Sequence, residues 1–344
     1  MARALDAETA TSDVAIIDGY VPIIDVEVAL SGDPAARRTV ADVIGKAGST
    51  SGFFVITGHG VDPDLVRRME RVSLAFFELP AEVKAQYATE PGDPTIRGWY
   101  GTPSYVSGSE DLDTAPDLCE LFTMSRLGEP GVATRASLGA DYEVWSRPNQ
   151  WPDEIQEFRP TWMEYYAVLE SLAAELMRFV ALALDLDEDF FDDKIDDHIT
   201  NLVVNHYPPV VGEPLAGQWR KGPHSDWGTL TILYQDGTGG LEVFDRDEDE
   251  WMTVPVVPGS FVVNIGDLME VWTNDRWHSS KHRVPVPPAA ARSTARVSIP
   301  FFHQPNWSVE VACLPSCLEP GEQPRHESVG SGAYLLEKIR TAYS

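Results

Sequence analysis

Two histidines and one aspartate have the types and spacing for metal chemistry. His224 and Asp226 are separated by one residue, and His282 follows later in the chain. Two imidazoles and one carboxylate can hold a ferrous ion on one face and leave the opposite face open for dioxygen. The segment 222–233, GPHSDWGTLTIL, reads as a strand and turn, and residues i and i+2 of a strand point the same way. We therefore expect His224 and Asp226 to chelate one ion together.

Zinc is the competing ion, since two histidines and one carboxylate also form hydrolytic zinc sites. The structural alternative is that these residues are ordinary polar groups at strand ends. His282 opens the run HRVPVP, which reads as a strand start able to bring a third ligand across a barrel. His278 lies four residues earlier and is a weaker candidate. The remaining histidines lack a partner at ligand spacing: His59, His198, His206, His303 and His326.

A second pair of residues has the chemistry to bind an anion. Arg296 and Ser298, in the run ARVSIPFF, also stand at i and i+2, so both should face inward. A guanidinium beside a hydroxyl can clamp a carboxylate by charge-assisted hydrogen bonds, although arginine serves equally well in a structural salt bridge. Asn205 and Tyr207 form a third pair of this kind. With the metal triad, these pairs outline an iron site whose cosubstrate enters carboxylate first.

The pattern along the chain changes from helical to strand-like. Apolar residues at helical spacing predict long helices at 33–50, 62–77 and 154–184, and a shorter one at 187–194. The Gly-, Pro- and Ser-rich stretch 97–127 predicts a binding loop. Strands are predicted at 52–60, 201–208, 223–235, 240–245, 251–257, 260–265, 282–286 and 295–303. Beyond residue 200 the predicted strands follow one another closely along the chain, and this pattern predicts a double-stranded β-helix, or jelly roll.

Composition excludes several classes of partner. The 344 residues contain 54 acidic and 26 basic side chains, for a formal charge of -28. This balance argues against nucleic acid and against an anionic membrane surface, and it is typical of a solvated acidic exterior. The three cysteines form neither an even disulfide set nor a zinc framework. With no signal peptide or membrane-spanning run apparent, we expect a cytoplasmic protein, a monomer or weak homodimer.

Several motifs resemble one known family. The runs NHYPP, GPHSDWGTLTILYQD, TNDRWHSSKHRV and RVSIPFF resemble the isopenicillin N synthase-like branch of the Fe(II)/2-oxoglutarate-dependent dioxygenases. The runs VPIIDV, SGFFVITGHGV and LPAEVKAQY are similar to its N-terminal region, and GAYLLEKIRTAYS to its C-terminal helix. The resemblance therefore covers nearly the whole chain.

The resemblance implies a role for each candidate residue. His224, Asp226 and His282 would ligate Fe(II), with dioxygen and 2-oxoglutarate as cosubstrates. Arg296 and Ser298 would hold the distal carboxylate of 2-oxoglutarate, assisted by the pair Asn205 and Tyr207. The stretch between His282 and Arg296 is slightly longer than usual and offers Arg292 as a rival clamp, but no apolar strand follows Arg292 directly.

The expected fold is mainly β with flanking helices: a jelly-roll core preceded by an N-terminal α/β region and followed by a C-terminal helix. We divide the chain into five stretches. These are an irregular lead (1–20), an N-terminal dioxygenase region with a variable substrate loop (21–150), a helical segment on the core (151–200), the jelly-roll core (201–310), and a C-terminal tail and helix (311–344).

The activity implied is oxidation of a C–H bond in a small metabolite, by hydroxylation, desaturation, cyclisation or epoxidation. The carboxylate of Asp226 disfavours halogenation, because related halogenases carry a small residue there. Secondary or antibiotic metabolism is the expected setting. Two alternatives remain open: an oxidase of the same fold that needs no 2-oxoglutarate, like isopenicillin N synthase, and a non-catalytic binding protein. Placement suggests these substrate-pocket residues: Arg97, Tyr100, Tyr105, Phe122, Leu241, Phe302 and Tyr334.

Overall fold

The computed structural model describes residues 14–89, 96–101, 115–129, 139–145 and 147–342. The strands are β1 (Ile16–Ile17), β2 (Ile23–Asp25), β3 (Phe53–Thr57), β4 (Gly98–Tyr100), β5 (Glu120–Ser125), β6 (Asn201–Tyr207), β7 (Lys221–His224), β8 (Leu230–Gln235), β9 (Glu242–Asp245), β10 (Glu250–Thr253), β11 (Phe261–Ile265), β12 (His282–Val284), β13 (Arg296–His303), β14 (Glu310–Val311) and β15 (Val329–Gly330). The helices are α1 (Glu27–Leu30), α2 (Pro34–Gly48), α3 (Pro63–Phe77), α4 (Ala81–Lys84), α5 (Ala140–Trp145), α6 (Phe158–Ala183), α7 (Asp192–Ile195), α8 (Asp267–Trp272) and α9 (Ser331–Ala342).

Two facing sheets form the centre of the molecule. The larger has the strand order β1-β2-β3-β11-β8-β13-β6-β5-β4, and the smaller has the order β10-β9-β12-β7. From β6 to β13 the chain passes back and forth between the sheets, which is how a double-stranded β-helix is wound. One apolar core lies between the sheets and draws residues from both, including Phe53, Leu233, Val262, Val243 and Val284. The predicted jelly roll is confirmed.

Helices cover the outer face of the larger sheet. Helices α2 and α3 both begin with an aspartate cap followed by proline: Asp33 accepts from the Ala36 N–H, and Asp62 accepts from the Asp64 N–H. This capping chemistry fixes helix entry. The 26-residue helix α6 buries the predicted apolar stripe against the sheet, including Trp162, Leu169 and Leu176. Burying each such side chain contributes about 1.5–3 kcal/mol. Within the described ranges, no helix is both long and apolar enough to cross a bilayer.

Side-chain alternation gives the larger sheet an outer and an inner face. On β13, Val297, Ile299 and Phe301 pack outward into the core under the helices. Arg296 and Ser298 point the other way, and they pair directly across the sheet with Tyr207 and Asn205 of β6. Strand register therefore brings the two predicted polar pairs together inside the barrel.

Four sequence-based expectations need correction, and one helix was not predicted. The stretch 97–127 is predicted to be a loop, but it contains β4 and the fully buried strand β5, which extend the larger sheet beside β6. The predicted strand 223–235 is interrupted: β7 belongs to the smaller sheet and β8 to the larger one. The stretch 187–194 forms a helix only at α7. Helix α8 is not predicted by the sequence, and the lead, expected to be irregular, contains β1.

The five-part division of the chain stays a prediction. Strands β2 to β5, from the second stretch, share one hydrogen-bonded sheet with β6, β8, β11 and β13 from the fourth. The N-terminal region and the jelly-roll core are therefore joined by main-chain hydrogen bonds.

The turn 225–229, between β7 and β8, is held by close main-chain packing. Thr229 donates its N–H to the His303 carbonyl (3.0 Å), and the Gly266 N–H donates to the Thr229 carbonyl (2.8 Å). Gly228 lies so close to the end of β13 that a Cβ there would overlap the His303 carbonyl oxygen. Glycine is needed at this position for close approach of two backbones.

Replacing Gly228 with alanine should therefore destabilise the protein. Overpacking of this kind costs about 1–3 kcal/mol of unfolding free energy, and urea denaturation would measure it. The matched control is Gly237→Ala, because a Cβ on Gly237 meets no atom within 4 Å. Equal stability of the two variants would contradict this description of the turn.

Candidate metal centre

His224, Asp226 and His282 meet at the open end of the smaller sheet. His224 ends β7, His282 begins β12, and the two residues are direct partners in the antiparallel register. Asp226 Oδ1 lies 3.9 Å from Nε2 of His224 and 3.7 Å from Nε2 of His282. One ligand atom from each residue falls within 4.8 Å of the others. The three side chains form a group that could hold one metal ion.

Asp226 reaches the group from a turn and not, as strand spacing predicted, from the same strand as His224. His224 is the last residue of β7, and Asp226 lies beyond the strand, in the turn that leads to β8. Alternation along a strand therefore does not aim the carboxylate. The turn aims it, through the contacts described below.

Main-chain carbonyls fix the orientation of both imidazoles. Nδ1 of His224 lies 2.8 Å from the Gly222 carbonyl oxygen, and Nδ1 of His282 lies 3.2 Å from that of Ser280. A carbonyl oxygen only accepts hydrogen bonds, so each Nδ1 carries the hydrogen. In a neutral imidazole with its hydrogen on Nδ1, Nε2 is the nitrogen that can bind a metal.

Burial and mutual charge set the protonation of the group. Burial lowers the pKa of His224, and the neighbouring His282 lowers it further. Burial alone raises the pKa of Asp226, but its interactions with His282 and His224, together with hydrogen bonds from Asn264 and Thr231, outweigh this, so the pKa lies below its usual range. At neutral pH these directions favour a neutral imidazole on His224 beside an ionised carboxylate, the forms that bind a metal.

The other oxygen of Asp226 is held by two donors that sequence reasoning missed. Thr231 Oγ1 (2.6 Å) and Asn264 Nδ2 (2.7 Å) both donate to Oδ2. Thr231 on β8 and Asn264 on β11 are direct cross-strand partners, so the sheet register places them side by side. For both Thr231 and Asn264, the signal available in the sequence was a polar residue within a run of buried strand residues. With Oδ2 occupied, Oδ1 is left for a metal.

The main chain of Asp226 is held as well. Its carbonyl accepts from the Asp267 N–H (2.8 Å) and from Ser279 Oγ (3.3 Å). The donor set, two imidazole nitrogens and one carboxylate oxygen, fits non-haem Fe(II) and leaves coordination positions open. Among the residues that the structure describes, this is the one group of three or more His, Cys, Asp or Glu side chains close enough to share an ion.

Arg296 forms a buried cationic pocket deeper in the barrel. Its side chain is 1% exposed, and its Nε donates to the Gly239 carbonyl (2.7 Å). Within the described residues, its Nη1 has no hydrogen-bond partner. The guanidinium carbon lies 4.9 Å from the centre of the Tyr207 ring. Asn205 Nδ2 donates weakly to Ser298 Oγ (3.5 Å), so the predicted set Arg296, Ser298, Asn205 and Tyr207 comes together.

A second buried guanidinium, Arg220, lies beside this pocket and was missed in the sequence. It donates to the Thr294 carbonyl (2.5 Å), and burial, followed by the charge of Arg296, lowers its pKa. The rival clamp Arg292 is not in the pocket. It lies in the loop before β13, where its Nη1 pairs with Glu213 (2.8 Å). Of the two arginines proposed as clamps from the sequence, Arg296 and not Arg292 is in position to meet an anion inside the barrel.

A cavity of about 400 Å³ adjoins the triad and is closed on one side by α9. Phe302 and Tyr334 line this cavity, and their role in substrate binding stays a prediction. The placement of Phe122 in the pocket is wrong. Because side chains alternate along β5, Leu121 faces the cavity, whereas Phe122 packs outward against Phe76, Phe158 and Trp162.

Other expected pocket residues lie elsewhere. Arg97 is buried behind the wall, where it donates to the Trp145 carbonyl (2.9 Å). Leu241 lies in the core between the sheets. Tyr100 packs beside the apolar cluster under α9 and is not among the described residues of the cavity wall. Tyr105 lies outside the described residues.

Known proteins share both halves of this architecture. Residues 199–305 match the 2OG-Fe(II) oxygenase superfamily, and residues 21–154 match the N-terminal region of the non-haem dioxygenases described from morphine synthesis. Validamycin A dioxygenase of Streptomyces hygroscopicus subsp. limoneus is 36% identical over 93% of this chain and 86% of its own length. A 2-oxoglutarate-Fe(II) type oxidoreductase of Aspergillus fumigatus is 35% identical over 93% and 92%.

Solved structures agree with these relatives. A full-length Neurospora crassa protein, crystallised in complex with alpha-KG and thymine, superposes with a TM-score of 0.82 at 28% identity, over 98% of this chain and 100% of that one. A putative oxygenase from Caulobacter crescentus gives a TM-score of 0.78 at 30% identity, over 93% and 98%. The chain belongs to the 2-oxoglutarate- and Fe(II)-dependent oxygenase superfamily, which confirms the resemblance seen in its motifs. It is a dioxygenase that uses Fe(II), 2-oxoglutarate and O₂, and the 2-oxoglutarate-independent alternative is disfavoured.

Removing either donor to Asp226 Oδ2 should weaken metal binding while the fold persists. We expect Thr231→Val and Asn264→Ala each to raise the dissociation constant for Mn²⁺ about 10- to 100-fold, the usual effect of losing a partner that orients a ligand. Equilibrium dialysis measures this constant without a substrate. Thr231→Ser keeps the hydroxyl and should bind Mn²⁺ nearly as the unmodified protein does. Unchanged affinity in both variants would rule out the orienting role.

Proposed function

We propose that His224, Asp226 and His282 bind the Fe(II) ion of this dioxygenase, and that Arg296 and Ser298 bind the distal carboxylate of 2-oxoglutarate. Asn205 and Tyr207 complete that pocket. The observation that carries the proposal is the buried Nη1 of Arg296, which has no partner among the described residues although its Nε is satisfied. A buried guanidinium without a counter-anion is costly, and a carboxylate ligand would supply the missing acceptor.

The residues around the pocket would act by position and charge. Arg296 and Ser298 would fix one end of 2-oxoglutarate, so that its keto acid end faces the triad. Burial of Tyr207 raises the pKa of its phenol, which keeps the hydroxyl protonated as a hydrogen-bond donor at neutral pH. The bound iron supplies oxidative decarboxylation of 2-oxoglutarate and oxidation of a substrate C–H bond. The apolar walls would exclude water and aim that bond.

The substrate we propose is a small metabolite, and the outcome is hydroxylation, desaturation, cyclisation or epoxidation. Secondary or antibiotic metabolism is supported by the relatives, which include the validamycin A dioxygenase. Residue 226 is an aspartate and not a small residue, so halogenation is not proposed. We further propose a cytoplasmic monomer or weak homodimer that binds neither nucleic acid nor membranes, in keeping with the charge of -28.

Substitution of Arg296 tests the cosubstrate pocket. Arg296→Ala should raise the dissociation constant of 2-oxoglutarate at least about 100-fold, because it removes a buried charge-assisted pair. Mn²⁺ affinity should remain within about threefold. Calorimetric titration of the Mn²⁺-loaded protein with 2-oxoglutarate measures the first constant.

Arg292→Ala is the matched control, because it removes an arginine that pairs with Glu213 outside the barrel. It should bind 2-oxoglutarate normally. The reverse pattern, with affinity lost in Arg292→Ala and kept in Arg296→Ala, would contradict the assignment.

A further inference from the structure

Three adjacent strands form one wall of the cavity beside the metal centre. Side-chain alternation turns Leu121 and Thr123 of β5, and Asn201 and Val203 of β6, towards the cavity. On the other side of β6, Phe302 pairs directly with Asn201, and Gln304 follows at the end of β13. Apolar and polar side chains alternate with one another in this wall, and the polar ones are Thr123, Asn201 and Gln304.

Two polar atoms in this wall are buried without partners. Thr123 is 1% exposed and Gln304 is 3% exposed. Within the described part of the chain, neither Oγ1 of Thr123 nor Oε1 of Gln304 makes a hydrogen bond. Buried polar atoms are nearly always satisfied in folded proteins, and leaving one unpaired is unfavourable. Both residues line the cavity, so a molecule bound there would be the partner they lack.

The two groups lie on the side of the cavity away from the cosubstrate pocket. Asn205 pairs with Ser298, whereas Asn201 pairs with Phe302. Four residues along a strand correspond to about 13 Å. A carboxylate held by Arg296 and Ser298 is therefore too far away to satisfy the Asn201 end of the wall. Thr123 pairs with Val203, about 7 Å along β6 from Asn205, and lies one strand farther from β13 than β6 does. A molecule that reached both Thr123 and Gln304 would therefore be the substrate.

Two cations near this end of the wall already have partners, and the carboxylate of Glu337 on α9 lines the cavity from an exposed position. The Arg97 guanidinium donates to Asn201 Oδ1 (3.3 Å) and to the Trp145 carbonyl (2.9 Å). On α9, Lys338 pairs with Asp267 (3.2 Å). The wall thus presents a hydroxyl and a carboxamide, which are neutral and can both donate and accept.

We propose that Thr123 and Gln304 bind a neutral hydrogen-bonding group of the substrate, such as an amide, with both an N–H or O–H donor and a carbonyl or hydroxyl acceptor. The inference rests on the proposed function, because it takes the cavity beside the triad as the substrate site. A buried site with fixed polar partners discriminates strongly against analogues that cannot satisfy them. Thr123 and Gln304 would therefore set specificity, while Leu121, Val203 and Phe302 supply apolar contact.

The exposed lysine Lys281 provides the competing possibility, because it also lines the cavity. If recognition were by charge at the cavity mouth, a carboxylate would bind better than a neutral amide. The two chemistries can be separated with small ring probes of equal size.

The test uses the full chain loaded with Zn²⁺ and 2-oxoglutarate, with saturation-transfer NMR of two probes, δ-valerolactam and cyclohexanecarboxylate. We expect the lactam to bind and the carboxylate to bind at least about tenfold more weakly. Thr123→Val and Gln304→Leu should each weaken lactam binding about three- to tenfold, the effect of losing one hydrogen bond. Thr253→Val, on the exposed strand β10, is the matched control and should bind the lactam normally.

Three results would overturn the proposal: no lactam binding to the unmodified protein, preferential binding of the carboxylate, or lactam binding unchanged in both wall variants. Thr123→Val keeps the test valid if Gln304→Leu disturbs the nearby Gly228 turn. Titration of the Zn²⁺-loaded proteins with 2-oxoglutarate distinguishes failure of this proposal from failure of the proposed function. If the unmodified protein did not bind 2-oxoglutarate while the lactam results held, the cosubstrate assignment would be wrong. The proposal that Thr123 and Gln304 bind substrate would still be supported.

Discussion

The chain passes from the smaller sheet to the larger one through the turn 225–229, and the position of Asp226 depends on that crossing. Strand pairing alone sets His224 opposite His282. Asp226 lies outside any strand. Thr231 and Asn264 donate to its carboxylate, and the Asp267 N–H and Ser279 donate to its main-chain carbonyl. A shift in any of these would move one ligand relative to two rigidly paired ones. Because Oδ2 is occupied, the carboxylate offers a single oxygen, which leaves more of a bound metal open to cosubstrates.

The buried positive charge inside the barrel, and not the overall charge of the chain, must attract the anionic cosubstrate. The chain carries a formal charge of -28, which repels a dianion at long range. Screening limits that repulsion to about 8 Å at physiological ionic strength. Inside the barrel, Arg296 and Arg220 lie close enough that the charge of Arg296 lowers the pKa of Arg220. In a medium of low dielectric constant, such unbalanced positive charge strongly favours a carboxylate. The larger sheet thus presents a cationic end and, about 13 Å along β6, a neutral one.

Local patterns in the sequence predicted much of this arrangement, and contacts distant in sequence account for the rest. Side-chain alternation correctly turned Arg296 and Ser298 inward, and helical spacing identified the buried face of α6. Alternation could not be applied to Phe122, because the stretch around β5 carries no clear strand pattern and the facing of its residues depends on pairing with β6. Thr231 and Asn264 meet only through the register of β8 with β11. Alternation applied across the turn 225–229 predicted that His224, Asp226 and His282 come together, but from an incorrect local structure.

The central claim is that the triad holds Fe(II) with positions open to 2-oxoglutarate, next to a pocket that receives its carboxylate. The most direct measurement is anaerobic titration of the Fe(II)-loaded protein with 2-oxoglutarate, followed by visible absorption. Chelation through the keto acid should produce a saturable metal-to-ligand charge-transfer band that is absent in Asp226→Ala, which should not retain iron. Iron bound with no band at saturating 2-oxoglutarate, or a normal band in Asp226→Ala, would contradict the account.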